Sequence, residues 1–197
     1  MVGLTIISYT IYLQMNGKDI WMDIDKVATL AKELFLEQGT FLPSVFVELD
    51  NTEVGVLAVS EVEEKDNTPD RARIFFDAGR KYGHQTEKTG QGVTDLHFAS
   101  LTRTQGKQGL LIAKIGDGRG LKHTTRFYEV LRGGGGAVVD LLKNSTLSHD
   151  GMISPLLPAF MLGVVTVRRH LSANEARRML SALLREYERM LRESGML

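Results

Sequence analysis

A run of strand-like segments separated only by short turns limits the folds that this chain can adopt. Apolar and β-branched residues dominate 93–99, 110–115 and 124–131, and glycines lie in the connections between them. Such segments suit a pleated surface. A doubly wound parallel sheet needs helices between its strands, and residues 93–142 hold none of the required length. The run therefore predicts an antiparallel or mixed sheet.

The first 60 residues predict two hairpins that would add to this sheet. Residues 5–13 alternate as a strand does, and Asn16-Gly17 is a preferred pair for a tight turn because both positions adopt positive φ. Residues 19–22 would form the short return strand. The second hairpin joins 45–49 to 54–59 through a polar turn.

Helices are predicted on either side of the second hairpin. The first runs from Asp23 or Asp25 to Gln38, with apolar residues at helical spacing. The second begins at Thr68-Pro69-Asp70, which combines a cap, a proline at the first helical position and an acid in the first turn. We expect this helix to end at Gly83 and a polar loop to follow over 84–92.

The C-terminal part of the chain predicts a long amphipathic helix. Ser172 and Glu175 form a capping box, and an apolar stripe runs from Ala176 to Leu191. The segment 154–167 that precedes it fits either a helix or a strand. Residues 137–142 likewise fit either a strand or a short helix.

Together these elements predict an α+β fold: an antiparallel or mixed sheet built from hairpins, helices packed on it, and a long C-terminal amphipathic helix. Residues 1–150 would form the α+β domain. Residues 151–197 would form a C-terminal helical element that packs on the same domain or at a dimer contact. A chain of 197 residues is long enough to bury roughly 70% of its unfolded surface.

Charge is divided unevenly along a chain that is neutral overall. Residues 1–80 hold 7 basic and 14 acidic side chains, and residues 81–197 hold 17 basic and 10 acidic ones. Most of the basic excess lies in residues 101–132 and 168–193. This asymmetry predicts either a partner of complementary charge or neutralisation of one part of the chain by the other.

Composition excludes several kinds of chemistry. The chain has no cysteine, which rules out disulfides, thiolate metal sites and cysteine nucleophiles. We expect a cytoplasmic protein without a signal peptide or a membrane-spanning segment. Asp95 and His97 would share one face of a strand, but such a pair is more typical of a polar strand face than of a metal site. We expect no metal, no cofactor and no catalytic residue.

The basic segment 101–132 is the first candidate for a binding site. It alternates cations with glycines and aromatic residues, a composition suited to a phosphate backbone. The candidate nucleic-acid contacts are Arg103, Lys107, Lys114, Arg119, Lys122, Arg126 and Arg132.

A glycine tract is the second candidate. Arg132, Gly135 and Ala137 fit the pattern Arg-x-x-Gly-x-Ala, which resembles the pyrophosphate-binding motif of the acetyl-CoA-dependent N-acetyltransferases. That motif follows a strand and opens a helix, whose N-terminal N–H groups hold the phosphates. The resemblance implies a cofactor site at Arg132, Gly133, Gly135 and Ala137. The same residues also fit a flexible turn between two strands.

The leading functional prediction is a non-catalytic binding or assembly protein that acts through polarised acidic and basic faces, as a subunit of a larger complex. Its partner would be another protein or a second copy of the chain. The first alternative is a nucleic-acid-binding protein that uses residues 101–132. The second is an acyl-CoA-dependent transferase that uses the glycine loop at 132–137.

Overall fold

The computed structural model describes residues 6–11, 23–38, 41–49, 54–59, 68–104, 107–115, 122–133, 138–150 and 154–193. They form an α+β fold in which helices cover both faces of one sheet. The strands are β1 (Ile6–Ile11), β2 (Ser44–Leu49), β3 (Val54–Val59), β4 (Val93–Thr104), β5 (Lys107–Ile115), β6 (Lys122–Arg132) and β7 (Val138–Asp150). The helices are α1 (Ile24–Gln38), α2 (Thr68–Thr89), α3 (Leu156–Arg168) and α4 (Ala173–Glu193).

The seven described strands form one antiparallel sheet in the order β1-β3-β2-β4-β5-β6-β7. Strands β4 to β7 are neighbours both in sequence and in the sheet, as short connections require. The predicted hairpin of β2 and β3 is confirmed, and β1 pairs with β3. The predicted turn at Asn16-Gly17 and its return strand lie outside the described residues.

Strand β7 decides between the two structures that the sequence left open for residues 137–142. Its 13 residues pair along β6, from Val138 opposite Arg132 to Asp150 opposite Lys122. The strand alternative is therefore confirmed, and the helix alternative is wrong for the described part of this segment.

Alternate strand residues face two separate hydrophobic cores, one on each side of the sheet. The core beneath α1 includes Val27 of the helix and Ile112 of β5, both fully buried. The N-cap of α1 is Asp23, whose carboxylate accepts hydrogen bonds from the N–H groups of Asp25 and Lys26 at 3.0 and 2.8 Å. This cap fixes where the acidic first turn of α1 lies above the sheet.

The opposite face of the sheet is covered by α2, α3 and α4. Its core includes Val45 and Phe98 from the strands and Phe75, Phe160 and Leu180 from the three helices. Burial of each large side chain of this kind contributes roughly 1.5–3 kcal/mol. No helix in the described ranges combines the length and the apolar character needed to cross a bilayer.

Glycines allow α2 and α3 to cross in direct backbone contact. A Cβ added at Gly79 would lie 2.0 Å from the carbonyl oxygen of Phe160, and one at Gly163 would lie 2.2 Å from the carbonyl oxygen of Phe76. Gly83 lies one turn after Gly79 and also faces α3. Because a side chain at the two closest positions would overlap backbone atoms, this crossing depends on glycine.

The predicted end of α2 at Gly83 and the predicted polar loop over 84–92 are wrong, because the helix continues to Thr89. It stops instead at Gly90, which has a φ of 69°. The N–H of the next residue, Gln91, donates to the carbonyl of Thr86 at 3.0 Å. This left-handed glycine stop leaves Gly83 to serve the helix crossing.

The C-terminal helices agree more closely with the sequence prediction than α2 does. Residues 154–167 were open to two structures, and α3 confirms the helix. α4 begins at the predicted capping box, where Ser172 N–H donates to Glu175 Oε2 at 2.9 Å and Glu175 N–H donates to Ser172 Oγ at 3.3 Å. Within α4 only Ala176 and Leu180 are fully buried, so most of the helix surface faces solvent.

Candidate functional site

The candidate nucleic-acid residues are spread along three strands. Arg103 lies on β4 and Lys122 on β6, but their side chains are outside the described part of the chain, as is the whole of Arg119. The remaining four have described side chains: Lys107, Lys114, Arg126 and Arg132.

Each of these four cations has a partner within the protein. Lys107 Nζ lies 2.8 Å from Glu129 Oε2. Lys114 forms an ion pair with Asp95. Arg132 Nη2 donates to Gln108 Oε1 at 2.7 Å. The fourth, Arg126, pairs with Asp25. Three of the four are therefore neutralised by an acid, which weakens the case for a phosphate-binding strand surface.

The contact between Arg126 and Asp25 joins the two oppositely charged parts of the sequence. Asp25 belongs to the acidic first 80 residues and lies in the first turn of α1. Its carboxylate also accepts a hydrogen bond from the Tyr128 hydroxyl at 2.9 Å. The hydrogen bond to Asp25 raises the pKa of Arg126, and burial raises the pKa of Tyr128. At this point the fold neutralises its own charge.

Asp95 and His97 lie two residues apart on β4, as predicted, but they do not form a shared site. His97 is completely buried, and neither ring nitrogen has a hydrogen-bond partner. Burial, followed by the charge of Lys114, lowers the pKa of His97 to about 3. Among the side chains that the structure describes, no group of three His, Asp or Glu residues is arranged to hold a metal ion.

The glycine tract lacks the structural context of the resemblance that suggested it. β7 follows the tract, so no helix N-terminus is presented by the described residues 138–150. Arg132 has a partner in Gln108. Gly133 ends the described segment, and Gly135 and Ala137 lie outside it. The strand–loop–helix arrangement needed for pyrophosphate binding is therefore not formed.

A cleft of about 410 Å³ lies between α2 and α4, on the side of the molecule opposite α1. We call it the arginine cleft. Its lining is Arg73, Phe76, Asp77 and Arg80 from α2, and Ala173, Ala176, Arg177, Leu180 and Ser181 from α4. These positions recur three and four residues apart, so each helix contributes one continuous face.

The arginine cleft carries more positive than negative charge. Three of its lining residues are arginines, and Asp77 is the one acid among them. The Arg80 Nε is buried and has no hydrogen-bond partner. Arg73 makes an exposed ion pair at 3.2 Å with Asp70, a residue one turn before it on α2. These three arginines line one cavity, whereas each of the four strand cations contacts a separate partner.

The floor of the arginine cleft is apolar. Phe76, Ala176 and Leu180 are buried there, with at most 7% of each residue exposed. The hydroxyl group of Ser181 adds a donor and acceptor to the lining. A cavity of this size, with an apolar floor and charged walls, has room for a small ligand.

A second groove of about 440 Å³ runs along the other flank of α4, between α4 and α3. Its lining is apolar: Pro158, Met161, Leu162, Val165, Met179, Ala182 and Leu183. Met179 is one of the two large hydrophobic residues that are exposed in the described structure. α4 therefore has a basic cleft on one side and an apolar groove on the other.

Sequence reasoning missed the arginine cleft. The spacing of Arg73 and Arg80 over two helical turns was available as a signal for one wall. The second wall, at Arg177, lies about 100 residues further along the chain, and no pattern in the sequence links the two helices.

Comparison with known proteins identifies no relative, because no family model, no curated protein and no solved structure matches this chain.

Proposed function

We propose that this chain is a binding and assembly protein that recognises an acidic protein partner through its α2–α4 side. The observation that carries the proposal is the arginine cleft, where three arginines face one acid in a cavity of about 410 Å³. An acidic side chain of a partner supplies the negative charge that balances the excess positive charge of the cleft.

The charge distribution of the helices supports an acidic partner. α1 with its Asp23 cap carries four acidic and two basic residues, and it covers one face of the sheet. α2 carries five basic and three acidic residues, and α4 carries five basic and four acidic ones, both on the other face. Among the described helices, the net charge is therefore negative on the α1 side and positive on the α2–α4 side, which favours oriented approach of a charged partner.

The groove between α3 and α4 favours a protein over a nucleic acid. A protein partner brings apolar side chains as well as acids, and interfaces commonly combine an apolar centre with a charged rim. The groove and the arginine cleft flank the same helix, so one partner surface can reach both. Of the strand cations whose side chains are described, Lys107, Lys114 and Arg126 are already paired with acids.

The test is fluorescence anisotropy with a labelled glutamate-rich peptide at about 50 mM and about 300 mM NaCl, where screening differs strongly. We expect binding at low salt and a marked loss of affinity at high salt. The double variant Arg80→Gln/Arg177→Gln should abolish the binding. The matched double variant Arg178→Gln/Arg185→Gln removes the same charge from α4 positions outside the cleft and should bind nearly as well as the parent.

Two results would overturn the proposal. One is no salt-sensitive binding of the acidic peptide by the parent protein. The other is equal loss of binding in both double variants, because the cleft would then have no special role. A parallel titration with single-stranded DNA tests the alternative: tight DNA binding that Lys107→Gln/Arg132→Gln weakens, and that the cleft variant leaves unchanged, would favour the strand surface instead.

A further inference from the structure

We infer that the arginine cleft is a site for a phosphate monoester, either on a phosphorylated side chain or as a small organic phosphate. This inference rests on the proposed function, since it names the acidic group that the cleft accepts. It depends on three features of the lining: the number and type of cations, a buried unpartnered donor, and an apolar floor.

The cations of the cleft match a phosphate better than a carboxylate. Three arginines and one aspartate leave two net positive charges in the lining, and a phosphate monoester carries close to two negative charges near neutral pH. Every cation in the lining is an arginine, whose planar fork donates two parallel hydrogen bonds. A carboxylate has two oxygens and satisfies one fork, whereas a phosphate monoester offers three acceptor oxygens to several forks at once.

Arg80 supplies a donor that the fold itself leaves unused. Its Nε is buried and has no partner among the described residues, although buried donors are nearly always satisfied in folded proteins. The side chain lies in the wall of the cleft, opposite Arg177 and Ser181 of α4. The Nε has almost no accessible surface of its own, so an anion bound in the cleft would accept hydrogen bonds from the terminal nitrogens of Arg80. The partly buried stem would hold the guanidinium in place before binding.

The apolar floor indicates that the phosphate is an ester rather than the free ion. Phe76, Ala176 and Leu180 form buried apolar surface next to the arginines. A phosphate ion occupies only a small part of 410 Å³ and cannot use this surface. An organic group joined to the phosphate can cover the floor, and an aromatic group can also contact the ring of Phe76.

The pH dependence of binding separates a phosphate from a carboxylate. The charged groups that face the cleft are Arg73, Asp77 and Arg80 from α2 and Arg177 from α4, and the lining contains no histidine. The second pKa of a phosphate monoester is about 6, and that of a side-chain carboxylate is about 4. Between about pH 7.5 and about pH 5 the phosphate ligand therefore loses charge, whereas a carboxylate ligand stays ionised.

The experiment is isothermal titration calorimetry of the full chain with phenyl phosphate, inorganic phosphate and benzoate as probes. We expect phenyl phosphate to bind more tightly than both, and its affinity to fall roughly tenfold from about pH 7.5 to about pH 5 as the dianion is lost. A phosphoserine peptide and its unphosphorylated form distinguish the two sources: selective binding of the phosphopeptide indicates a protein-borne phosphate, and binding of phenyl phosphate alone indicates a small ligand.

Variants on the two helices locate the site. Arg177→Gln should weaken phenyl phosphate binding by about tenfold or more, because one charge-assisted fork is lost. Its neighbour Arg178 lies outside the lining, so Arg178→Gln removes the same charge and should change the affinity by less than about twofold. Arg80→Gln should weaken binding at least as much as Arg177→Gln, and its melting temperature shows whether it folds.

The results also separate this inference from the proposed function. If the glutamate-rich peptide binds in the cleft and benzoate binds as tightly as phenyl phosphate, the phosphate inference is wrong and the proposed function stands. If neither kind of anion binds, both are wrong. Equal effects of Arg177→Gln and Arg178→Gln on phenyl phosphate binding would likewise contradict a site in the cleft.

Discussion

The two faces of the sheet handle charge in different ways. Beneath α1, cations of the strands reach acids at close range, as Arg126 does at Asp25 and Lys114 at Asp95. On the other face the sheet presents an apolar core, and the arginines lie beyond it in a cleft between helices. The charges beneath α1 are neutralised within the fold, whereas the arginine cleft leaves charge available to a ligand.

The difference follows from access to water. Arg126 keeps only 18% of its side chain exposed and Lys114 only 29%, so an unpaired charge at either position would lose much of its hydration. Arg73 and Arg177 are exposed and remain hydrated, and the ion pair of Arg73 with Asp70 is itself exposed. Both faces have a hydrophobic core, but only the face under α1 also holds these partly buried ion pairs, whereas the other depends on close helix packing at glycines. Three variants or sets of variants test this contrast, in decreasing order of their expected effect on stability.

The largest effect is expected where the helices cross. Gly79→Ala places a Cβ within 2.0 Å of the Phe160 carbonyl oxygen, so α2 and α3 must move apart along their contact. We expect the free energy of unfolding to fall by about 3 kcal/mol or more, in the range of severe overpacking. Chemical denaturation monitored by far-ultraviolet circular dichroism measures this loss.

Gly83→Ala is the matched control on the same helix. Its added Cβ would lie 3.1 Å from Val167 Cβ and 3.2 Å from the Val164 backbone, contacts that small shifts can relieve. Alanine also suits a helix interior better than glycine does, by about 1 kcal/mol. We therefore expect a much smaller loss than for Gly79→Ala. Equal losses in the two variants would show that the crossing does not set the stability of this face.

The second prediction concerns the buried histidine beneath α1. His97 has a folded-state pKa of about 3, whereas in the unfolded chain a histidine titrates near 6.5. As the pH falls below about 6.5, the unfolded chain gains a proton that the folded protein does not bind, so stability falls. Between about pH 6 and about pH 4 we expect His97 to lower the free energy of unfolding by roughly 2–3 kcal/mol.

His97→Leu isolates this effect because leucine does not titrate. The carboxylates contribute equally to parent and variant, so the difference between the two unfolding curves as a function of pH reports on His97 alone. We expect the variant to be at least as stable as the parent at about pH 7.5, since two buried unpartnered nitrogens are removed. The exposed His84 provides the control, and His84→Gln should leave the acid dependence unchanged. Parallel curves for parent and His97→Leu would contradict the prediction.

The parts of the molecule that the sequence could predict are those that depend on residues close together in the chain. Hairpins and caps depend on neighbouring residues, so the pairing of β2 with β3 and the box at Ser172 and Glu175 followed from local pattern. Gly83 was misassigned because its role depends on α3, far along the chain. A glycine that permits close contact and a glycine that stops a helix look alike until the neighbouring helix is known.

The same limit applies to the sites. Counting cations along residues 101–132 found real positive charges, but it could not show that Asp25 and Asp95 would neutralise two of them. The arginine cleft could not be predicted because its walls come from α2 and α4, and only folding brings them together. Net charge along the sequence therefore indicated an excess of basic residues after residue 80, but it did not indicate the cleft, whose α2 wall lies within the acidic first 80 residues.

The smallest effect on stability is expected when one member of an ion pair loses its charge. Asp25→Asn keeps an acceptor for the Tyr128 hydroxyl but removes the charge that faces Arg126. The carboxylate is half exposed, so we expect a loss of only about 1–2 kcal/mol, part of it from the acid at the α1 N-terminus. Lys107 pairs with Glu129 while keeping 57% of its side chain exposed, and Lys107→Gln should cost less than about 0.5 kcal/mol. If urea unfolding shows equal costs for the two variants, burial beneath α1 adds nothing to ion pairing, and the distinction between the faces would rest on helix packing alone.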